Sequence, residues 1–122
     1  MDNFNLIWLD CSINVLTLLP NKLQYLKYLN FSNNQIINLD LDSYCQLKYL
    51  IGFSNKIKQI TNLPSTLIYL DLFNNPINNF DNIIWKNPDQ NILEYLLISK
   101  TKINSINLAN FKMLKYLDIS AN

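Results

Sequence analysis

The chain has 122 residues, of which 49% are hydrophobic, and its charges nearly cancel to a formal net charge of +1. This length and composition are typical of one domain with a continuous core, and they leave no case for two unrelated domains. All ten basic residues are Lys, and Arg and His are absent, so the sequence lacks a basic stripe for nucleic acid, the commonest general base and the commonest metal ligand.

The amino terminus reads MDNFNLIWLDCS and carries an acid where a signal peptide carries basic residues. No apolar run approaches the roughly 18 residues that span a bilayer. Cys11 and Cys45 are too few and too far apart for a disulfide framework or a zinc site, so we expect two unpaired thiols, which are normal in a reducing compartment. The sequence therefore predicts a cytoplasmic protein with no membrane partner, no nucleic-acid partner, no metal and no cofactor.

A short motif, Leu-x-aromatic-Leu, recurs along the chain. Its six copies begin at Leu6, Leu26, Leu47, Leu67, Leu93 and Leu114. The steps between them are 20, 21, 20, 26 and 21 residues, and motif positions are counted from the first Leu of each copy. Each unit continues the spacing L-x-x-L-x-L-x-x-N-x-L-x-x-L, and the segment from Tyr28 to Ser32 alternates polar and apolar side chains as a half-buried strand does. Stacked units of this kind predict a solenoid whose parallel strands lie about 4.8 Å apart.

Motif position nine is almost always Asn. It is occupied by Asn14, Asn34, Asn55, Asn75, Thr101 and Asn122. A chain that turns from a sheet into a core leaves backbone N–H and C=O groups without strand partners, and a buried carboxamide can both donate to and accept from them. These Asn residues are therefore expected to be structural, not catalytic. Thr101 can replace only part of this bonding, so the sequence predicts a looser turn in the fifth unit.

The segments that follow the turns, such as INLDLDSYCQ and IKQITNLPST, are too short for long helices. They predict extended chain and 3-10 turns on the outer side of the solenoid. Only FDNIIWKN and LANFKM are compatible with a helical turn, and in the first of them Asn79 or Asp81 would cap a turn containing Ile84 and Trp85. Trp85 is expected to cover the edge of the core.

The motif resembles that of the leucine-rich repeat family over nearly the whole chain, and LLPNKL and NLPSTL are similar to the Leu-Pro junctions of bacterial effector repeats. The short period is similar to that of the family's short-repeat classes, the bacterial one among them. The resemblance implies a leucine-rich repeat solenoid of the α/β horseshoe class, with six repeats in one domain over residues 1–122. It also implies a parallel β-sheet on the concave face, a mostly extended and 3-10 convex side, and a surface for protein interaction.

Motif positions three, five and seven are predicted to line the open, concave face. Position three is aromatic in every unit, as Trp8, Tyr28, Tyr49, Tyr69, Tyr95 and Tyr116. Rings about 4.8 Å apart can stack along a sheet, and such rings also offer rigid contact area to a partner. The sequence leaves both roles open.

The end units are polar at positions five and seven, whereas the third, fourth and fifth units each carry an apolar residue at one or both of them. The predicted partner-binding residues are Tyr49, Ile51, Phe53, Tyr69, Phe73, Tyr95 and Leu97, with a polar rim of Asp10, Asn30, Lys48, Glu94 and Asp118. A large exposed apolar patch with a polar rim marks an interaction site. For Phe53 there is an alternative, because Gly52 could let the strand distort so that Phe53 turns into the core beside Phe31.

Neither end of the array carries a clear capping unit, since only MDNFN precedes the first motif and the last motif stops halfway, at Asn122. Leu114, Leu117 and Ile119 are therefore expected to be partly bare. Either the chain is a fragment of a longer protein, or another copy covers this end in a homodimer formed through the C-terminal repeat.

The sequence thus predicts a protein–protein interaction module that binds a partner on its concave face. The alternative is a self-associating structural repeat protein that uses its uncapped ends. No enzyme is expected, because Cys11 is predicted to point inward, Cys45 has no His to activate it, and the acids lie on non-adjacent strands. Richness in Asn, Ile, Lys and Tyr without Arg is typical of an AT-rich genome, and an intracellular bacterium or a large DNA virus as the source would favour a host-protein partner inside the host cell.

Overall fold

Short strands recur at the repeat spacing throughout residues 5–122, the part of the chain that the computed structural model describes; the predicted domain start at residue 1 lies outside it. Within that range the chain forms a parallel β-solenoid of about five turns with a period of about 21 residues. The strands in chain order are Trp8–Asp10 (β1), Tyr28–Asn30 (β2), Asn38–Asp40 (β3), Tyr49–Ile51 (β4), Gln59–Leu63 (β5), Tyr69–Asp71 (β6), Ile83–Trp85 (β7), Tyr95–Leu97 (β8) and Tyr116–Asp118 (β9).

Two parallel sheets form two sides of the solenoid. The larger has six strands in the order β1-β2-β4-β6-β8-β9, and the smaller has three in the order β3-β5-β7. In the larger sheet each residue lies opposite the equivalent residue of the next unit, so that Leu50 lies between Leu29 and Leu70. This register follows from the repeat, because a shift by one residue would turn every apolar side chain to the opposite face.

The core lies between the two sheets. Leu50, in the middle of a central strand, is fully buried and belongs to the same apolar cluster as Leu39 and Ile60 of the smaller sheet. Full burial of such a side chain contributes about 1.5–3 kcal/mol. Leu9 in β1 and Leu117 in β9 are only partly buried, because each end strand of the sheet has one neighbouring strand instead of two.

The smaller sheet is a feature that the sequence does not predict, since its segments were expected only to be extended chain and 3-10 turns. These segments run side by side at the spacing of the repeat, and their backbones hydrogen-bond, for example from Lys58 N to Ile37 O at 2.9 Å. The register between β5 and β7 shifts between Ile60 and Leu63. The shift occurs where the pairing reaches β7, which belongs to the long fourth unit.

The helical turn predicted near Asn79 is confirmed as the 3-10 helix Phe80–Asn82, where the Asn79 side chain accepts a hydrogen bond from Asp81 N at 2.9 Å. Ile84 and Trp85, which were expected within that turn, lie in β7 instead. The segment LANFKM forms turns only, and a second 3-10 helix covers Pro88–Gln90. Within residues 5–122 these two short segments are the only helical elements.

Trp85 covers the core edge, as predicted. It is half-buried, packs against the apolar cluster, and meets the Phe111 ring edge-on with 5.6 Å between centroids. Phe111 also contacts Phe80 at 5.9 Å. These rings connect the long fourth unit to the fifth on the side of the smaller sheet.

Buried carboxamides at motif position nine join each turn to the unit before it. The Asn75 Nδ2 donates to Leu72 O of its own turn and to Gly52 O of the preceding unit, each at 3.0 Å. The Asn75 Oδ1 accepts from Ile57 N at 3.1 Å. The same kinds of bonds, within the turn and to the preceding unit, are made by Asn34, Asn55 and Asn122. The expected structural role of these residues is confirmed.

Thr101 interrupts this ladder of side-chain hydrogen bonds. Its Oγ1 donates to Ile98 O at 2.7 Å, within its own turn, and among residues 5–122 its side chain makes no hydrogen bond to the preceding unit. In that unit Ile77 N donates to Asn75 O instead, at 2.9 Å. The turn of Thr101 itself is held by the Asn122 Oδ1, which accepts from Thr101 N at 2.9 Å. The hydrogen bonds that are missing at Thr101 are therefore those between the fourth and fifth units, and not those within the fifth turn, where the sequence predicted a looser structure.

Motif position eight has a left-handed backbone in every unit. The φ angles are 56° at Ile13, 55° at Asn33, 55° at Ser54, 57° at Asn74, 51° at Lys100 and 54° at Ala121. This conformation directs the chain from the sheet into the core, at a cost of about 1 kcal/mol or more for residues other than Gly and Asn. Hydrogen bonds between units hold it in place, for example Ser54 N to Phe73 O at 2.8 Å.

Gly52 makes room for the ring of Phe31. Both occupy motif position six in adjacent units, and a Cβ at Gly52 would lie 2.3 Å from the Phe31 Cζ. A large side chain in the second unit is thus matched by the absence of one in the third. Because the Phe31 ring fills this space, Phe53 stays outside the core cluster and is half-buried, so the alternative placement of Phe53 inside the core is wrong.

Replacing Asn75 by Ala is expected to lower the free energy of unfolding by about 3 kcal/mol, because the Leu72 carbonyl and the Ile57 N–H lose their partner and Gly52 O keeps only the bond from Asn55. Urea denaturation measures the change. Asn14→Ala is the matched control: Asn14 is exposed, so the loss there should stay below about 1 kcal/mol. Equal losses at both positions would contradict the ladder's role.

Gly52→Ala is expected to destabilise the protein by about 2 kcal/mol, because the added methyl overlaps the Phe31 ring. A double-mutant cycle with Phe31→Leu measures the coupling between the two sites. In the Phe31→Leu background, the destabilisation caused by Gly52→Ala should be smaller by about 1 kcal/mol or more. A coupling energy of zero would mean that Gly52 serves some other requirement.

Candidate functional site

The larger sheet presents an open face on the side away from the core, formed by motif positions three, five and seven. The rings of position three lie there in register, as the alternation predicts. Trp8 stacks on Tyr28 with 5.2 Å between centroids and 7° between planes. The other neighbouring pairs are tilted by 34–42° with 5.9–6.5 Å between centroids.

The ring column stabilises the sheet and remains accessible. Each neighbouring ring pair contributes about 0.5–1.5 kcal/mol beyond its buried area. Tyr28 and Tyr69 are half-buried, whereas Trp8, Tyr49 and Tyr95 are 56%, 43% and 39% exposed. The column therefore has a structural role, and its exposed rings offer contact area in addition.

Polar side chains at motif position five hold the turn that follows each strand. The Asp71 Oδ1 accepts a hydrogen bond from Phe73 N at 3.0 Å, and the Asn30 Oδ1 accepts one from Ser32 N at the same distance. Asp10 and Asp118 make the equivalent bond in the end units. Asp10, Asn30 and Asp118, which were expected in the rim, are thus also turn-forming residues, a role that the sequence does not indicate.

Ile51 and Leu97 replace this polar residue in the third and fifth units. Their aliphatic side chains cannot accept the turn hydrogen bond, and both are half-buried on the open face. In these two units the turn hydrogen bond to position five is therefore absent, and an apolar side chain occupies that position instead. Both units lie in the middle of the sheet, where the sequence predicts a partner-binding patch.

The predicted patch is interrupted by a carboxylate. Asp71 lies in register between Ile51 and Leu97 and is half-buried. Next to it is a cavity of about 290 Å³ lined by Phe53, Ser54, Asp71, Phe73, Leu97, Ser99 and Asp118. The structure thus brings together Phe53, Phe73 and Leu97 from the predicted site. Asp71 could have been found from the sequence, because it occupies position five in the central unit.

The environment of Asp71 differs from that of the end-unit acids. Burial raises the pKa of the Asp71 carboxyl, and the charge of Asp118 adds to this, while the hydrogen bond from Phe73 N opposes it. For Asp118, hydrogen bonds from the Ser120 hydroxyl and N–H lower the pKa, and Ser12 has the same effect on Asp10. Asp71 lacks such a hydroxyl, because its turn carries Phe73 where theirs carry Ser.

Two serines expected on the open face are buried instead. Ser32 is 1% exposed and Ser99 is 4% exposed. Each lies at motif position seven next to a unit that has Phe53 or Phe73 at the same position, and a serine side chain is too short to extend past such a ring. The Ser32 hydroxyl donates to the Asn30 Oδ1 at 2.7 Å, which satisfies it inside the fold.

The remaining reactive groups do not assemble into a second site. Cys11 is half-buried, and burial raises the pKa of its thiol, followed by the charge of Asp10. Cys45 is exposed, with its Sγ 3.7 Å from Gln24 O. Within residues 5–122 no group of three or more Cys, Asp or Glu side chains could hold a metal ion.

Another cavity of about 290 Å³ lies near the long fourth unit, where Ile83, Trp85, Asn91 and Phe111 contribute to its wall. The Trp85 Nε1 and Asn91 Nδ2 are buried and have no hydrogen-bond acceptor among residues 5–122. None of the predicted partner-binding residues lines this cavity, and Asp81 is its one charged lining residue. The open face therefore remains the stronger candidate site.

No protein-family model, curated protein or solved structure matches the chain. Within residues 5–122 no helix is both long enough and apolar enough to span a membrane. The functional assignment therefore depends on the repeat and on the geometry of the open face.

Ile51→Asn and Leu97→Asn are expected to leave the free energy of unfolding within about 1 kcal/mol of the parent value. Asn30 shows that an amide at this motif position can accept the turn hydrogen bond. Urea denaturation followed by circular dichroism measures the change. Leu50→Asn, one residue away but pointing inward, is the control and should lose more than about 3 kcal/mol. A comparable loss in Ile51→Asn would mean that the aliphatic residue serves the fold.

Proposed function

We propose that this chain is a leucine-rich repeat module of the short-repeat class and that it binds another protein on its concave open face. The repeated motif, the in-register parallel sheet and the Asn ladder support the family assignment. Six strands in the larger sheet match the six motif copies. The low helix content fits a class whose outer side is mostly extended.

The observation that carries the proposed function is the apolar patch in the middle of the open face. Ile51 and Leu97 occupy positions where a polar residue would complete the turn, as Asp71 does between them. With Phe53 and Phe73, and beside the exposed rings of position three, they form apolar surface on a regular sheet. Exposed apolar surface with a polar rim is typical of an interaction site.

Binding, not catalysis, is the activity that the site residues support. The open-face cavity contains carboxylates and hydroxyls but neither a thiol nor a Lys among its lining residues. A carboxylate that already holds a turn N–H is also poorly placed to transfer protons. The unpaired thiols of Cys11 and Cys45 fit a reducing, cytoplasmic location, either in the source cell or in a host.

Self-association is the second candidate, and exposed apolar side chains in the first unit favour it. Ile13 is 80% exposed, Val15 76% and Leu18 77%. In the last unit Ile119 is 43% exposed. A second copy packed on such a surface would bury these side chains, and the first unit offers more apolar area for this than the C-terminal repeat that the sequence favours.

A site-specific photocrosslinker tests the proposed function. Benzoylphenylalanine placed at Tyr95, on the open face, is expected to crosslink a partner in the cells that express the chain. Placed at Ile84, which is 46% exposed on the smaller sheet, it should not crosslink that partner. The double variant Ile51→Asn with Leu97→Asn should reduce the crosslink at Tyr95 by about tenfold or more, as expected for loss of interface anchors.

A crosslink that persists in the folded double variant would refute binding through the patch. Light scattering after size exclusion distinguishes self-association from binding of a different protein, because self-association gives the chain alone a concentration-dependent mass. Ile13→Asn should abolish that dependence if the first unit forms the contact, whereas the open-face double variant should leave it unchanged.

A further inference from the structure

The open-face cavity combines apolar walls with two carboxylates. Phe53, Phe73 and Leu97 supply the apolar surface, and Asp71 and Asp118 supply the charge. Asp71 and Asp118 lie on either side of Leu97 in register, so both acids flank the same apolar position. An apolar wall next to fixed negative charge complements a side chain that has an aliphatic stem and a cationic end.

The two carboxylates retain capacity to accept hydrogen bonds. The Asp71 Oδ1 accepts from Phe73 N, and the Asp118 Oδ1 accepts from Ser120 N and from the Ser120 hydroxyl. Among residues 5–122 the second oxygen of each carboxylate has no hydrogen-bond donor, and neither acid forms an ion pair. Both groups can therefore accept from a partner without losing the turn.

Lys100 lies next to one wall of this cavity, the Phe73 ring. Its Nζ lies 5.6 Å from the centroid of the Phe73 ring, which is a cation–π distance, and it is not ion-paired to either acid. Among the described residues that line the cavity, the charged groups are the carboxylates of Asp71 and Asp118, so its lining is negative. The Phe73 ring also shows that an aromatic wall here accepts a neighbouring cation.

We propose that the binding partner inserts a Lys or Arg side chain into this cavity, with its aliphatic stem against Phe53, Phe73 and Leu97 and its cationic group beside Asp71 and Asp118. This inference rests on the proposed function, since it states what the protein partner presents to the open face. It follows from charge complementarity, because a half-buried carboxylate is stabilised by a cation that takes the place of the water removed. An uncharged apolar side chain would fill the walls but leave both carboxylates desolvated and unpaired.

A pair of small molecules tests the preference for a cation directly. n-Butylguanidinium carries the stem and the charge, and N-butylurea is its neutral analogue of nearly the same shape. Each is titrated into the isotope-labelled chain, and chemical-shift changes of the backbone amides are followed by NMR. Butylguanidinium is expected to give saturable shifts around Phe53, Phe73 and Leu97, whereas butylurea gives none that saturate.

Asp71→Asn is the critical variant. It removes the charge while keeping an acceptor for Phe73 N, as Asn30 does in its own turn. The dissociation constant for butylguanidinium should rise about fivefold or more, the loss expected for one partly buried ion pair. Asp10→Asn changes the same motif position at the far edge of the sheet and should leave the constant unchanged.

Equal binding of both probes, shifts located elsewhere, or an unchanged constant in Asp71→Asn would overturn the inference. The crosslinking experiment then separates the two claims. If the Ile51→Asn and Leu97→Asn double variant still abolishes the crosslink while the probe results fail, the chain binds a partner but not through a basic side chain. If the probes behave as expected and the crosslink persists in the double variant, binding of the protein partner through Ile51 and Leu97 is refuted, although the cavity still accepts a cation.

Discussion

The buried carboxamides of the second, third and fourth units are the interaction on which the solenoid depends. At motif position nine, Asn34, Asn55 and Asn75 each satisfy backbone groups of their own turn and of the unit before it. Because these groups are buried away from water, leaving them unpaired would cost more than the bonds themselves contribute. The ladder thereby fixes the register between units, and the register in turn places the aromatic rings and the position-five residues in columns on the open face.

The open face shows how a surface for binding is obtained within a strict repeat. A polar residue at position five completes the turn in four units, as Asp71 does in the fourth, and an aliphatic residue replaces it in the third and fifth. The turn survives the replacement because the backbone bonds between units continue through it, for example from Ser54 N to Phe73 O at 2.8 Å. Local redundancy in hydrogen bonding thus allows Ile51 and Leu97 to carry apolar surface.

The repeat period, the strand positions, the aromatic column and the structural role of Asn could be predicted because each depends on local spacing that the six motif copies preserve. The smaller sheet could not, since β3 and β5 share only the last apolar position of the motif, as Leu39 and Ile60, and one shared position does not specify strand pairing. Ser32 and Ser99 were predicted to be exposed, but both are buried. The alternation along a strand gives the direction in which a side chain points, but it does not show whether longer neighbouring side chains cover it. The left-handed residue of each turn was also missed, because Ile13, Ser54 and Lys100 share no chemical property that marks it.

The interruption at Thr101 has a consequence for cooperativity. The stability of a solenoid is close to a sum of unit terms and nearest-neighbour interface terms, so unfolding begins where an interface is weakest. The junction between the fourth and fifth units lacks the carboxamide bridge and is held on the opposite side by the contacts of Phe111 with Phe80 and Trp85. Under force or denaturant, this interface is therefore expected to open first, although backbone hydrogen bonds such as Leu72 N to Leu97 O continue across it. The cavity beside Asp71 takes Phe73 from one side of the interface and Leu97 from the other, so it exists only while the interface is closed.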